Sequence, residues 1–318
     1  MGKILEQLNV IKRCRRYGLP LWQCPQVLFL IMGLIIIVTA ISVYLIGTRY
    51  VENPAIIALI VLAISAILFI IAFVVVKSFE RLAEASLMKL EFVSIASHQL
   101  RTPISNLKWA VELLMSGRLG RIEKNQVEYF KILKENTGRM KELVNDLLIV
   151  SKIETGNLPL KREVISLKDL TEDLIDEFTP ITKASNTEIE FESQKDLPKI
   201  FTDPKQIRLV IENFLDNAIR YTKSAEEMKG EEKIKISLKK IGKNLRFEIK
   251  DNGVGIPKEE QKYIFQKFFR SEKISKKTQG SGLGLFIAKS VIERLKGKIG
   301  LKSKEGIGST FWFTLPIK

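Results

Sequence analysis

The chain has 318 residues, 46% of them apolar and 27% charged, and its 51 basic against 36 acidic side chains give a formal charge of +15. Two cysteines, Cys14 and Cys24, and one histidine, His98, are too few for a zinc finger or a disulfide scaffold, and a Ser/His/Asp hydrolase would have to use His98. The charge excess fits nucleic acid, anionic lipid or nucleotide phosphate alike, and it is uneven: residues 252–318 hold 14 basic and 5 acidic side chains.

Residues 1–26 form a basic N-terminal segment with Lys3, Lys12, Arg13, Arg15 and Arg16. Within 27–76, Val27 to Gly47 and Ala55 to Val76 carry no charge and number 21 and 22 residues. Each reaches about 30 Å as a helix, enough to cross a bilayer. A cleaved signal peptide is the alternative for the first, but its apolar core is longer than the usual h-region and a second span follows. Lys77, Arg81 and Lys89 follow the second span, whereas the connection Thr48 to Pro54 offers only Arg49 and Glu52. This asymmetry predicts a membrane hairpin with both termini cytoplasmic, a minimal external loop and no extracytoplasmic ligand domain. Cys14 and Cys24 are then expected to be reduced thiols, with lipidation as the alternative.

From Phe79 onward, Ala83, Leu90, Val93, Leu100, Ile104, Leu107, Val111 and Leu114 follow alternating steps of three and four, with Ser86 and Ser97 filling the gaps. Residues 77–97 are expected to form a signalling helix leading into a helical hairpin at 83–156. Gly117 and Gly120 interrupt the seam, and Phe130, Leu133, Thr137, Met140, Val144 and Leu147 resume it. Two helices with one narrow stripe each bury too little to stand alone, so a homodimeric four-helix bundle is expected, with a monomeric coiled-coil spacer as the alternative.

At 160–318 the pattern turns to alternating strands, Thr187 to Glu192, Lys233 to Lys239, Leu245 to Lys250 and Ser309 to Leu315. Helical segments lie around Leu167 to Phe178, Pro204 to Tyr221 and Leu283 to Leu295. An α+β domain is expected. Its glycines fit neither a P-loop nor a dinucleotide fingerprint, since Gly280, Gly282 and Gly284 are spaced by twos.

His98 follows the seam position Ser97 and should face solvent, as many surface histidines do. Pro103, however, frees the carbonyl of Gln99 at a local expense of about 3 kcal/mol that a purely structural bundle would avoid. The segment Ser97-His98-Gln99-Leu100-Arg101-Thr102-Pro103-Ile104 resembles the phosphoacceptor box of sensor histidine kinases. Asn213 to Tyr221 resembles that family's asparagine box and Asp251 to Pro257 its first glycine box. Phe265, Phe268, Phe269 and Arg270 resemble the phenylalanine box, Gly280 to Leu285 the second glycine box, and Gly306 to Phe311 the terminal strand. One box alone is weak; six in order between Ala83 and Leu315 are specific.

The resemblance implies a two-layer α+β sandwich of the histidine kinase, gyrase and chaperone type. It implies autophosphorylation of His98 from ATP with Mg²⁺, and transfer to an aspartate of a response-regulator receiver domain. Asn213 and Asn217, one helical turn apart, offer neutral oxygens to Mg²⁺ already bound to phosphate, Asn217 the surer by resemblance. Asp251 would accept the adenine amino group, and Gly253 and Gly255 would let backbone approach the base. Arg220 would pair with phosphate and Tyr221 pack on adenine or ribose; the structural alternatives are a solvated helix face and core packing. Lys258, Lys262, Lys267, Arg270, Lys273, Lys276 and Lys277 make 257–280 read as a basic lid, and Gly280, Gly282 and Gly284 open a helix whose amides suit phosphate. Thr102 matches the position that orients water for regulator dephosphorylation, or is a surface threonine.

Two features depart from the family pattern. Gln99 replaces the usual acid after the histidine, so it can orient the imidazole but not remove a proton. His98 lies only 22 positions after Val76, so the signal is expected to travel down one helix without a linker domain. The chain is thus expected to be a multi-pass protein of a prokaryotic cytoplasmic membrane, with a bilayer and no nucleic acid among its partners. A membrane-tethered ATPase or chaperone of the same nucleotide fold, and a DNA-binding membrane protein suggested by charge alone, are the rival readings.

Overall fold

A computed structural model describes residues 25–120, 122–223, 232–271 and 280–317. The basic residues Lys3, Lys12, Arg13, Arg15 and Arg16, both cysteines, and Lys273, Lys276 and Lys277 lie outside the described residues, as does the side chain of Ser86. The chain falls into two compact units, Met1–Asn106 with Ser151–Leu158, and Leu107–Val150 with Pro159–Lys318.

The first unit begins with α1 (Pro25–Tyr50) and continues into α2 (Pro54–Met115), and both are long and apolar enough to cross a membrane. Thr39 Oγ1 in α1 donates back to Ile35 O at 2.8 Å, so this hydroxyl is satisfied within its own helix. Asn53 caps α2, its Oδ1 accepting from Ala55 N at 3.0 Å. α2 runs unbroken from the apolar stretch past His98 and through Pro103. It ends near Gly117 and Gly120, whose φ of +73° and +127° suit glycine, and α3 (Lys124–Glu154) runs back. Within the first unit Ser151 Oγ on α3 donates to Leu90 O on α2 at 3.1 Å. Gly156, with φ +69°, closes α3 as Asn157 N donates to Lys152 O at 2.9 Å.

In the second unit, β1 (Glu163–Ile165) pairs antiparallel with β3 (Ile200–Thr202) as a separate ribbon. The main sheet has the order β2-β4-β5-β7-β6, from β2 (Thr187–Ser193), β4 (Glu232–Ile241), β5 (Asn244–Asp251), β7 (Gly308–Pro316) and β6 (Lys298–Lys304). Only β2 with β4 is parallel. Helices α4 (Leu167–Ala184), α5 (Pro204–Lys223) and α6 (Gly284–Arg294) cover one face. α5 buries Ile207, Val210, Ile211, Phe214, Leu215 and Ala218, a helical stripe, against Phe247 and Phe313, whose rings stack at 5.0 Å. On the other face Trp312 lies under the Arg246 guanidinium at 4.1 Å.

The predicted strands and helices are all present. α4 extends through Pro180 to Ala184, beyond the Phe178 where the sequence pattern ended it; the proline sits in the last turns, and Thr179 Oγ1 donates to Ile175 O at 2.9 Å, close to the carbonyl the proline leaves unpaired. Three strands were not foreseen: β1, β3 and β6.

Candidate functional site

On α2, Ser97 is 2% exposed while His98 faces solvent, as the heptad register predicts. Gln99 and Thr102 are exposed as well, Thr102 one turn beyond the histidine.

The second site begins at the end of β5. Leu245, Phe247, Ile249 and Asp251 alternate toward the helix layer, so strand period alone carries the Asp251 carboxylate inward. Asp251 is 4% exposed; its Oδ1 accepts from Gly253 N at 3.0 Å and Ser309 N at 3.1 Å. Both bonds use Oδ1, so among the described residues Oδ2 is left as the acceptor for an external donor. Burial pushes the carboxyl up to about 6, with the Gly253 and Ser309 amides pulling the other way.

The glycines around this carboxylate are close-packed. A Cβ on Gly253 would stand 2.6 Å from Tyr221 O, and one on Gly255, at φ +66°, would overlap Lys304 O. Ser303 staples the loop: its Oγ accepts from Ile256 N at 2.8 Å and donates to Gly308 O at 3.0 Å, while Gln261 Nε2 reaches Ser303 O at 3.1 Å. Ser303 and Gln261 were missed in the sequence, where no pattern links them to Asp251.

Asn213, Asn217 and Arg220 form a half-buried stripe on α5 beside its apolar one, at steps of four and three. Asn213 Nδ2 donates to Leu209 O at 2.8 Å, and its Oδ1 lies where a Cβ on Gly284 would be. Asn217 has no side-chain partner among the described residues. Arg220 Nη2 donates to Asp216 Oδ2 at 2.6 Å, and its Nη1 would stand 2.9 Å from a Cβ on Gly280. The asparagine stripe, Asp251, Tyr221 and the loop of Gly280, Gly282 and Gly284 therefore come together. Gly282, at φ +69°, packs on the backbone of Phe268 and Phe269. α6 starts with no side-chain cap, so its first amides are open to an anion. Ser281 Oγ accepts from Leu283 N at 3.1 Å and donates to Asp146 Oδ2 on α3 at 2.8 Å, a contact absent from the sequence reading. Phe265 is half-buried with Lys289 Nζ 5.9 Å from its ring, and Arg270 is half-buried.

No group of three His, Cys, Asp or Glu among the described residues is placed to hold a metal by itself. The Asn217 amide, neutral and unspent, fits an ion that arrives on phosphate oxygens.

Residues 202–318 match the family described as histidine kinase-, DNA gyrase B-, and HSP90-like ATPase, and residues 88–156 match the His kinase A phospho-acceptor domain. The alginate biosynthesis sensor protein KinB of Pseudomonas aeruginosa is 31% identical over 76% of this chain and 38% of its own length. Sensor protein kinase WalK of Staphylococcus aureus is 34% identical over 71% of this chain and 36% of its own. The chain thus spans little more than a third of the length of these relatives. In fold it resembles full-length ShkA in complex with AMPPNP, at TM-score 0.60 and 24% identity over 71% of this chain and 45% of that one. It also resembles the histidine kinase ThkA in complex with the response regulator TrrA, at TM-score 0.51 and 22% identity over 73% and 64%. With a phospho-acceptor helical region followed by an ATPase domain of this type, the chain belongs to the sensor histidine kinases.

Proposed function

We propose that this chain is a membrane-anchored, dimeric histidine kinase that transfers the γ-phosphoryl group of MgATP to His98 and then to an aspartate of a response-regulator receiver domain. The observation that carries the nucleotide half is the Asp251 carboxylate, held through Oδ1 by Gly253 and Ser309 with Oδ2 unspent. That oxygen suits the adenine amino group. Arg220 and the amides opening α6 suit phosphate, and Asn217, with Asn213 beside it, suits the ion.

In the transfer, the neutral His98 imidazole attacks phosphorus with one nitrogen while the other keeps its proton, the bond to the bridging oxygen breaks, and ADP leaves. Mg²⁺, when bound, neutralises phosphate charge. The protein contributes position and electrostatics, which phosphoryl transfer needs more than covalent help. Gln99 accepts a hydrogen bond from the protonated imidazole nitrogen and fixes the tautomer. Thr102, exposed one turn beyond His98, would orient water when the regulator is dephosphorylated.

The dimer is supported by burial within the seam: Ala83, Ser97, Ile104 and Val111 are buried, whereas Leu100, Leu107 and Leu114 are 49%, 54% and 39% exposed. A second copy would cover the exposed set. The membrane anchor is supported by α1 and α2, and the lysine and arginine asymmetry favours both termini in the cytoplasm. A solved relative in complex with a response regulator supports a receiver-domain partner.

The test is incubation of the full chain with γ-labelled ATP. Acid-labile, base-stable label that disappears in His98→Gln is the expected result. ATP hydrolysis without label on the protein would instead favour the tethered ATPase.

A further inference from the structure

Asp146 is a half-buried carboxyl on α3, one turn before the buried Val150 and one turn after the exposed Glu142 and Leu143. A charge held there is partly desolvated and needs a donor to face it. Burial pushes that carboxyl up, and Glu142 and Asp216 push it further; the Ser281 hydroxyl pulls it back. Its partner, 135 residues away in sequence, is the hydroxyl at the middle of the glycine loop, which donates at 2.8 Å. The same oxygen accepts from Leu283 N at 3.1 Å, so the bond fixes the turn that sets the start of α6.

The electrostatics around this bond oppose a polyphosphate. Asp146 and Asp216 both stand beside the loop, and Asp216 holds Arg220 at 2.6 Å, occupying the guanidinium nearest Gly280. Phosphate oxygens arriving at the α6 amides would meet the half-buried Asp146 carboxylate on Ser281 and would compete with the exposed Asp216 for Arg220. Binding is relieved if Ser281 leaves Asp146 and turns with the loop, and if Arg220 leaves Asp216 for phosphate.

We propose that Asp146 is a positioning residue, a latch carboxylate that holds the glycine loop through Ser281 when the site is empty and is displaced by the triphosphate of MgATP, a role that rests on the site taking MgATP as proposed above. The latch joins the second hairpin helix to the phosphate-binding loop. By reciprocity, whatever moves α3 away from Ser281 tightens nucleotide binding, and bound nucleotide loosens α3 from the loop by the same factor.

The test is the affinity of the full-length chain in detergent for the magnesium complex of AMPPNP, measured calorimetrically for wild type, Asp146→Asn, Ser281→Ala and the double variant. Asp146→Asn keeps the shape and turns a charged acceptor into a neutral one; Ser281→Ala removes the donor and serves alone if the first variant fails to fold. Each single variant is expected to bind about 3- to 10-fold more tightly, the range of one ordinary net hydrogen bond lost from the empty state. The double variant should be no tighter than the tighter single one. Unchanged or weaker binding with a lowered Tm would mean that Asp146 only packs, and would overturn the latch. Tightening in Asp146→Asn but not in Ser281→Ala, or effects that multiply in the double variant, would also overturn it, as repulsion without a latch. If wild type itself does not bind, the nucleotide reading falls and the latch with it, an outcome distinct from binding that the variants leave unaltered.

Discussion

The helical hairpin and the α+β domain solve the burial problem differently. In the domain, Phe214, Phe247 and Phe313 are wholly buried and the sheet's inward face is covered by three helices. In the hairpin, Leu100, Leu107, Tyr129, Leu133 and Met140 stay exposed. Each such leucine is worth about 1.5–3 kcal/mol if covered, so the hairpin has most of its stabilisation still to gain from a partner. On the proposed reading, the nucleotide site is built on a scaffold that closes on itself, while His98 sits on one that a second copy would close.

The largest expected break in that comparison is chemical. Asn217→Ala should abolish His98 phosphorylation while the domain keeps its melting temperature to within a few degrees, because the amide has no partner in the described protein and contributes little to the core. Loss of folding together with activity, seen by circular dichroism, would mean that the residue is structural.

Phe214→Ala tests closure. Its ring lies 5.5 Å from Phe311 and 6.2 Å from Phe313. Truncation should destabilise the domain by about 3–5 kcal/mol in urea unfolding. Leu107→Ala should lower domain stability far less and weaken dimerisation instead; equal losses at the two positions would erase the distinction.

The pH dependence isolates the site. The Asp251 carboxyl titrates near 6 in the empty protein, above its ordinary value, and a carboxylate is needed to accept the adenine amino group. Affinity for MgATP is therefore full above that pH and falls as pH drops through it, by about tenfold at pH 5 relative to pH 7. Binding below pH 7 should release protons, measurable by titration in buffers of different ionisation enthalpy. A flat profile would remove Asp251 from the base contact.

Gln99→Glu gives the smallest effect. The ring gains positive charge as phosphorylation proceeds, and a carboxylate stabilises it better than an amide, so autophosphorylation should quicken by about tenfold, below the usual range for such groups because the transition state is loose. A rate equal to or below wild type would show that Gln99 has no part in the proton chemistry.

Most of the fold was legible because period carried it. Alternation marked β4, β5 and β7, and the same alternation puts Asp251 inside the strand end, which is why a motif residue became a buried one. β6 escaped because its pattern is broken by Gly300, which lies under the Trp312 indole where a Cβ would overlap the ring, and by lysines at both ends. β1 and β3 are three residues each, too short for any period to register. In the site, the asparagine stripe followed from helical spacing. The Ser303 staple and the Asp146–Ser281 bond did not, because they join residues 47 and 135 positions apart and depend on tertiary approach alone.

The measurement that tests the division most directly is made on the double variant Leu100→Glu/Leu107→Glu of the full chain, its mass by light scattering beside its affinity for MgATP. The account predicts a monomer that no longer phosphorylates His98 yet binds nucleotide at least as tightly as wild type. A dimer that labels His98 at the wild-type rate, or a loss of nucleotide affinity along with the dimer, would contradict it.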